Sequence, residues 1–144
     1  MITKKERGFT IIELLVVVAI IAVLAAIVLV NVTQYINKGK DAAIKGNMAT
    51  ILTNSAVYYD ANGNYTNFSA SSTYTTPAAA ITAAGKTVTP STNSSGSNFC
   101  ACSTLFDTTN GNYCVDSSGY KKQTNTACST RCVTGIGATG VCVD

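Results

Sequence analysis

The stretch GFTIIELLVVVAIIAVLAAIVLV, residues 8–30, carries a single charge, Glu13, and from Leu14 to Val30 it holds no polar residue. At about 1.5 Å per residue, a helix over Phe9–Val30 reaches about 33 Å, enough to cross the apolar core of a bilayer. A carboxylate inside such a segment is costly, so Glu13, close to one end, calls for a partner. The preceding residues MITKKERG place Lys4, Lys5 and Arg7 against Glu6. A secretory signal peptide has a short apolar region followed by a small-residue cleavage site. Here the apolar region is longer, and the small residue, Gly8, stands in front of it. Cleavage after Gly8 removes the charged octapeptide, keeps the helix, and makes Phe9 a new N-terminus four residues from Glu13.

Gly8, Phe9, Thr10 and Glu13, followed by LLVVVAIIAVLAAI, resemble the class III prepilin signal of type IV pilins and pseudopilins. The resemblance covers about the first 60 residues. It implies that prepilin peptidase cuts after Gly8 and methylates the Phe9 amine, and that Glu13 pairs with the N-terminal amine of a neighbouring subunit. The residues agree physically. An ionic group stranded without its partner in an apolar setting is heavily penalised, so Glu13 sets register more than it adds stability. The alternative is a plain signal anchor whose Glu13 snorkels to the interface. Two positions depart from the family pattern: many members carry Gly where Ala22 stands, and many major pilins carry Pro where Val30 stands. Both changes favour an uninterrupted helix.

Of 144 residues, removal of eight leaves 136, one small domain plus a long helix. The net charge of +3 falls to about +1 without the leader, and no extended basic stretch suggests nucleic-acid binding. The chain has no His, the commonest general base and metal ligand. The basic leader predicts a cytoplasmic N-terminus with the C-terminal part exported, although Lys38, Lys40 and Lys45 pull mildly the other way. Six cysteines, Cys100, Cys102, Cys114, Cys128, Cys132 and Cys142, crowd the end of the chain. An even, dense set in an exported domain predicts a disulfide framework.

Beyond Val30 the apolar positions Val32, Ile36, Ala43, Met48, Ile51, Leu52 and Tyr59 recur at helical steps, with a five-residue slip after Ala43. They predict an amphipathic continuation of the helix to about Tyr59. Asp60–Asn64, with the turn signal Asn62-Gly63, ends it. The alternation of Asp60, Asn62 and Asn64 is also that of a calcium loop, but Ser71 stands where such a loop places its bidentate Glu. Residues 66–98, rich in Ser, Thr, Ala, Asn and Gly, predict a surface loop with a short helix at Ala78–Ala84. Sequons occur at Asn31, Asn64, Asn67 and Asn93. Strand-like pieces follow at Phe99–Phe106, Tyr113–Asp116 and Gly140–Val143, with Asn110-Gly111 as a hairpin signal. Tyr58, Tyr59 and Tyr65 are expected to bridge helix and sheet.

Cys100 and Cys102 point to the same side of a strand and so seek separate partners. The expected pattern joins each of Cys100, Cys102 and Cys114 to one of Cys128, Cys132 and Cys142. A zinc site lacks the C-x₂-C spacing, and a catalytic thiol lacks a His to activate it.

The expected fold class is α+β, a type IV pilin-like long N-terminal helix, membrane-spanning in its first half, packed on a small antiparallel sheet with disulfides. The expected organisation is a cleaved leader over 1–8, an apolar assembly helix over 9–30, its amphipathic continuation over 31–60, and an exported head over 61–144. The expected function is a structural subunit, not an enzyme, that polymerises into a type IV pilus-like filament for adhesion, motility or DNA uptake. No cofactor, metal or nucleic acid is expected. The resemblance implies as partners further copies of the chain, the membrane, prepilin peptidase and a pilus assembly platform. It implies a single-pass location in the cytoplasmic membrane before assembly and an extracellular filament after it. The alternatives are a pseudopilin of a secretion or competence system, or a minor pilin acting as adhesin or DNA receptor.

Overall fold

The computed structural model describes residues 8–109, 111–132 and 139–142. The leader before Gly8, Asn110 of the hairpin signal and Val143 of the last strand-like piece lie outside the described residues. The chain divides into two units, Met1–Ile36 and Asn37–Asp144.

Helix α1 runs over Ile11–Asn62 without interruption, including at Ala22 and Val30. The side chains it buries in the second unit are Asp41, Ile44, Met48, Ile51 and Ser55, at steps of three and four. Ile44, fully buried, corrects the expected pattern: Ala43 is exposed, and the apparent five-residue slip disappears once Ile44 replaces it. Gly63, at φ +71°, donates its N–H to the Tyr59 carbonyl at 2.7 Å, a left-handed cap that ends the helix as Asn62-Gly63 predicts.

Residues 66–98 are more ordered than their composition suggests. They contain a 3₁₀ turn, Phe68–Ala70, then helix α2, Ser72–Ala83, and strand β1, Val88–Thr92. Helix α2 begins earlier than expected and buries Tyr74, Pro77 and Ile81. The sheet continues with β2 (Phe99–Thr104), β3 (Asn112–Asp116) and β4 (Lys121–Thr124) in the antiparallel order β1-β2-β3-β4. A short helix α3, Cys128–Arg131, follows. The connection between β2 and β3 is a longer loop, with the Leu105 N–H bonded to the Gly111 carbonyl at 2.6 Å, and not a two-residue turn. Thr139–Cys142 is not a strand.

Both faces of the central strands are buried. On one face Phe99, Ala101 and Val115 join Ile44, Met48 and Ile51 of α1 and Phe68, Tyr74 and Ile81 in one apolar core. Tyr65 lies 5.8 Å from Phe99 and 4.9 Å from Tyr59, so Tyr59 and Tyr65 bridge helix and sheet, whereas Tyr58, 5.1 Å from Phe68, packs against the 3₁₀ turn. The other face carries Cys100, Cys102 and Cys114. Two buried carboxylates tie the loops to this frame. Asp41 accepts from the Phe106 and Asp107 N–H groups at 2.7 and 2.9 Å. Asp116 accepts from the Ser118 and Tyr120 N–H groups and, across the fold, from the Cys142 N–H at 2.8 Å. An added Cβ on Gly140, at φ +66°, would strike the Asn98 carbonyl, so the returning segment needs glycine there.

Candidate assembly site

Helix α1 starts because Thr10 and Glu13 cap it reciprocally. The Thr10 hydroxyl oxygen accepts from the Glu13 N–H at 3.3 Å, and the Glu13 carboxylate accepts from the Thr10 N–H at 2.8 Å. The Thr10 hydroxyl donates to the same carboxylate oxygen, Oε2, at 2.7 Å. This is a capping box, and the negative charge in the first turn also suits the positive end of the helix dipole. Thr10 enters the sequence motif without a role of its own; the spacing Thr-x-x-Glu ahead of an apolar run is the signal for this one. Among the described residues nothing donates to Glu13 Oε1. One carboxylate oxygen starts the helix and the other is open.

Beyond the Thr10–Glu13 cap itself, the side chains here are exposed among the described residues. Phe9 is 80% exposed, and no residue from Gly8 to Leu29 is buried. An added Cβ at Gly8 has no heavy atom within 4 Å, so the chain's own packing does not require glycine there. The polar residues just beyond the apolar run satisfy themselves: Asn31 donates to the Ile27 carbonyl at 3.2 Å and Thr33 to the Leu29 carbonyl at 3.1 Å. The helix is long and apolar enough to cross a membrane. A surface that is apolar all round is stable against lipid or against other apolar helices, not against water.

The chain's N-terminal region, residues 3–29, matches the model of the prokaryotic N-terminal methylation motif. It is also similar to the type IV major pilin protein PilA of Myxococcus xanthus, 36% identical over 64 residues, which is 44% of this chain and 29% of that protein. The chain therefore carries the prokaryotic N-terminal methylation motif, and its N-terminal part is similar to that of a type IV major pilin. The matched stretch spans less than a third of the relative's length. No solved structure matches. An N-terminal helix this long and apolar fits membrane anchoring.

In the second unit the six cysteines form three bonds, Cys100–Cys132, Cys102–Cys128 and Cys114–Cys142. Each bond joins a sheet cysteine to the segment after β4. Cys102 and Cys114 sit opposite one another on β2 and β3, so parallel tethers leave one face of the sheet. Their sulfurs are all committed to cystines. Among the described residues no group of three or more His, Cys, Asp or Glu is placed to hold an ion. At the Asp60–Asn64 turn the amides are engaged by backbone: Asn62 donates to the Tyr58 carbonyl at 2.8 Å, and Asn64 accepts from the Thr66 N–H at 2.9 Å. Of the sequon residues, Asn93 bonds Ser95 and Ser97 at 2.9 and 2.8 Å and organises the β1–β2 turn.

Proposed function

We propose that this chain is a pilus-like filament subunit, cleaved after Gly8, methylated at Phe9, and polymerised through the apolar half of α1. The observation that carries this reading is an apolar helix surface that no described residue of the chain covers, opening on a capped carboxylate with one oxygen to which no described residue donates. Packing such helices side by side removes the apolar surface from water or lipid. It also places Glu13 in a setting where its charge must be matched. The α-amine released at Phe9 of a neighbouring subunit supplies that match. A subunit docked out of register leaves amine and carboxylate apart, which favours the correct register over its alternatives.

Two substitutions separate the roles of Glu13. Glu13→Gln retains the capping box, since Gln serves at that position, but loses the charge. Glu13→Ala loses both. Each variant should be processed to a Phe9 N-terminus, seen by mass spectrometry, and each should assemble poorly, seen by electron microscopy of sheared filaments. Assembly of the Gln variant at the level of the unaltered chain would reduce Glu13 to a helix cap. Gly8→Val should leave unprocessed precursor; a Phe9 N-terminus in that variant would refute the cleavage position. Short fibres confined to the cell envelope would favour a secretion or competence pseudopilus over a surface pilus.

A further inference from the structure

The charges on the head are sorted in a way that its own fold does not use. Asp41 and Asp116 are buried and spent on backbone N–H groups. Asp107 accepts from the Thr109 N–H and from Gln123 Nε2, both at 2.8 Å. Asp60 is different. It is exposed, nothing among the described residues donates to it, and it lies in the last turn of α1, which holds no basic residue. A carboxylate there faces the negative end of the helix dipole, an unfavourable place for it without a cation.

The complementary feature lies near the other end of the head's share of α1. The Lys40 and Lys86 ammonium groups converge on one ring, Phe106, at 5.1 and 4.3 Å from its centroid. The ring face holds each cation weakly, but two like charges beside one another repel. Among the described residues neither has a carboxylate partner. Lys40 and Asp60 are twenty residues apart on one helix, about 30 Å, so they never meet within a chain.

We propose that Asp60 of one subunit pairs with the Lys40–Lys86 cluster of another copy of this chain, displaced by about 30 Å along the helix axis. The inference rests on the filament reading, in which all copies run parallel because all leave the membrane in the same sense. Under it the Phe106 ring and its two lysines form an acceptor for one carboxylate from the copy below, nearer the membrane. The pair relieves the lysine repulsion and the misplaced helix-end charge together. Glu13 then sets register at one end of α1, and this pair sets it along the head.

The test is charge reversal in the full chain, expressed with its own assembly machinery, with subunit level in the membrane measured as a control for folding. Asp60→Lys, and Lys40→Glu with Lys86→Glu, should each lower filament yield by about two- to fivefold, the size of effect of one exposed pair. Combining all three reversals should restore it. Carbodiimide coupling of unaltered filaments should give an intermolecular amide between Asp60 and Lys40 or Lys86, read by mass spectrometry. Normal yield in the single-site reversals, no recovery in the combination, or coupling of both lysines to another carboxylate would overturn the pairing. If the unaltered chain forms no filament, the underlying reading fails first; filaments indifferent to the reversals defeat the pairing alone.

Discussion

The two halves of α1 stand in opposite relation to the rest of the chain. From Ile11 to Ile36 every described large apolar side chain is exposed, whereas from Asn37 onward the helix buries Ile44, Met48 and Ile51 in a core shared with the sheet. Helical geometry is the same in both. What differs is whether the sequence supplies a second surface to cover the apolar one. The head supplies it with β2, β3, α2 and three cystines. Among the described residues nothing covers the first half, which is the basis for proposing that lipid or other copies do.

The contrast can be broken most severely in the core. Phe68 is fully buried and meets Phe99 edge-on at 4.8 Å. Phe68→Ala should lower the head's stability by about 3–5 kcal/mol. Ile20→Ala, on the exposed half, should change it by less than about 0.5 kcal/mol. Denaturant titration of the detergent-held chain compares the two, and equal costs would end the distinction between the halves. Next in size is the tether on the returning segment. Replacing Cys114 and Cys142 by Ser should cost about 2–4 kcal/mol, seen as a lower denaturation midpoint. Asp41→Asn puts an amide donor against the N–H groups of Phe106 or Asp107 and should cost about 1–3 kcal/mol. Asp60→Asn, at an exposed helix end, should leave head stability within about 0.5 kcal/mol of the parent.

The smallest effects concern the tyrosines. The buried Tyr74 hydroxyl has no hydrogen-bond partner among the described residues, and burial pushes its phenol well above the usual value. Tyr74→Phe should therefore raise the melting temperature, by up to about 1 kcal/mol of stability. Burial also raises Tyr65 and Tyr113. A phenol that holds its proton more tightly when folded stabilises the fold below the unfolded value of about 10, and that contribution is lost as pH climbs past it. Unfolding at rising alkaline pH, followed by phenolate absorbance, should show stability falling above about pH 10. Tyr74→Phe should blunt the fall.

The strands that the sequence reveals are the two central ones, and those it hides are the two edges. Strands β2 and β3 carry Phe99, Val115 and three of the cysteines, a composition that reads as buried sheet. Strand β1 contains Pro90 amid Ser and Thr, and β4 opens on Lys121 and Lys122. Edge strands tolerate Pro and charge because one side pairs with nothing, so their composition resembles that of a loop. Ile44 escaped for a related reason: the apolar Ala43 beside it made an equally helical but incorrect pattern.

By itself the sequence determines that an apolar helix follows Gly8, that a carboxylate sits near its start, that the helix ends in the Asp60–Asn64 stretch, and that the cysteines lie in the last 45 residues. Those features are local, set by hydropathy, turn chemistry and spacing along a few residues. Only the tertiary structure decides which sulfurs bond, that Asp41 and Asp116 turn inward to hold loops, and that Lys40 and Lys86 share the ring of Phe106. Each of these joins residues far apart in the chain. Their proximity follows from the register of the sheet and the packing of α1 against it, which no short stretch of sequence encodes.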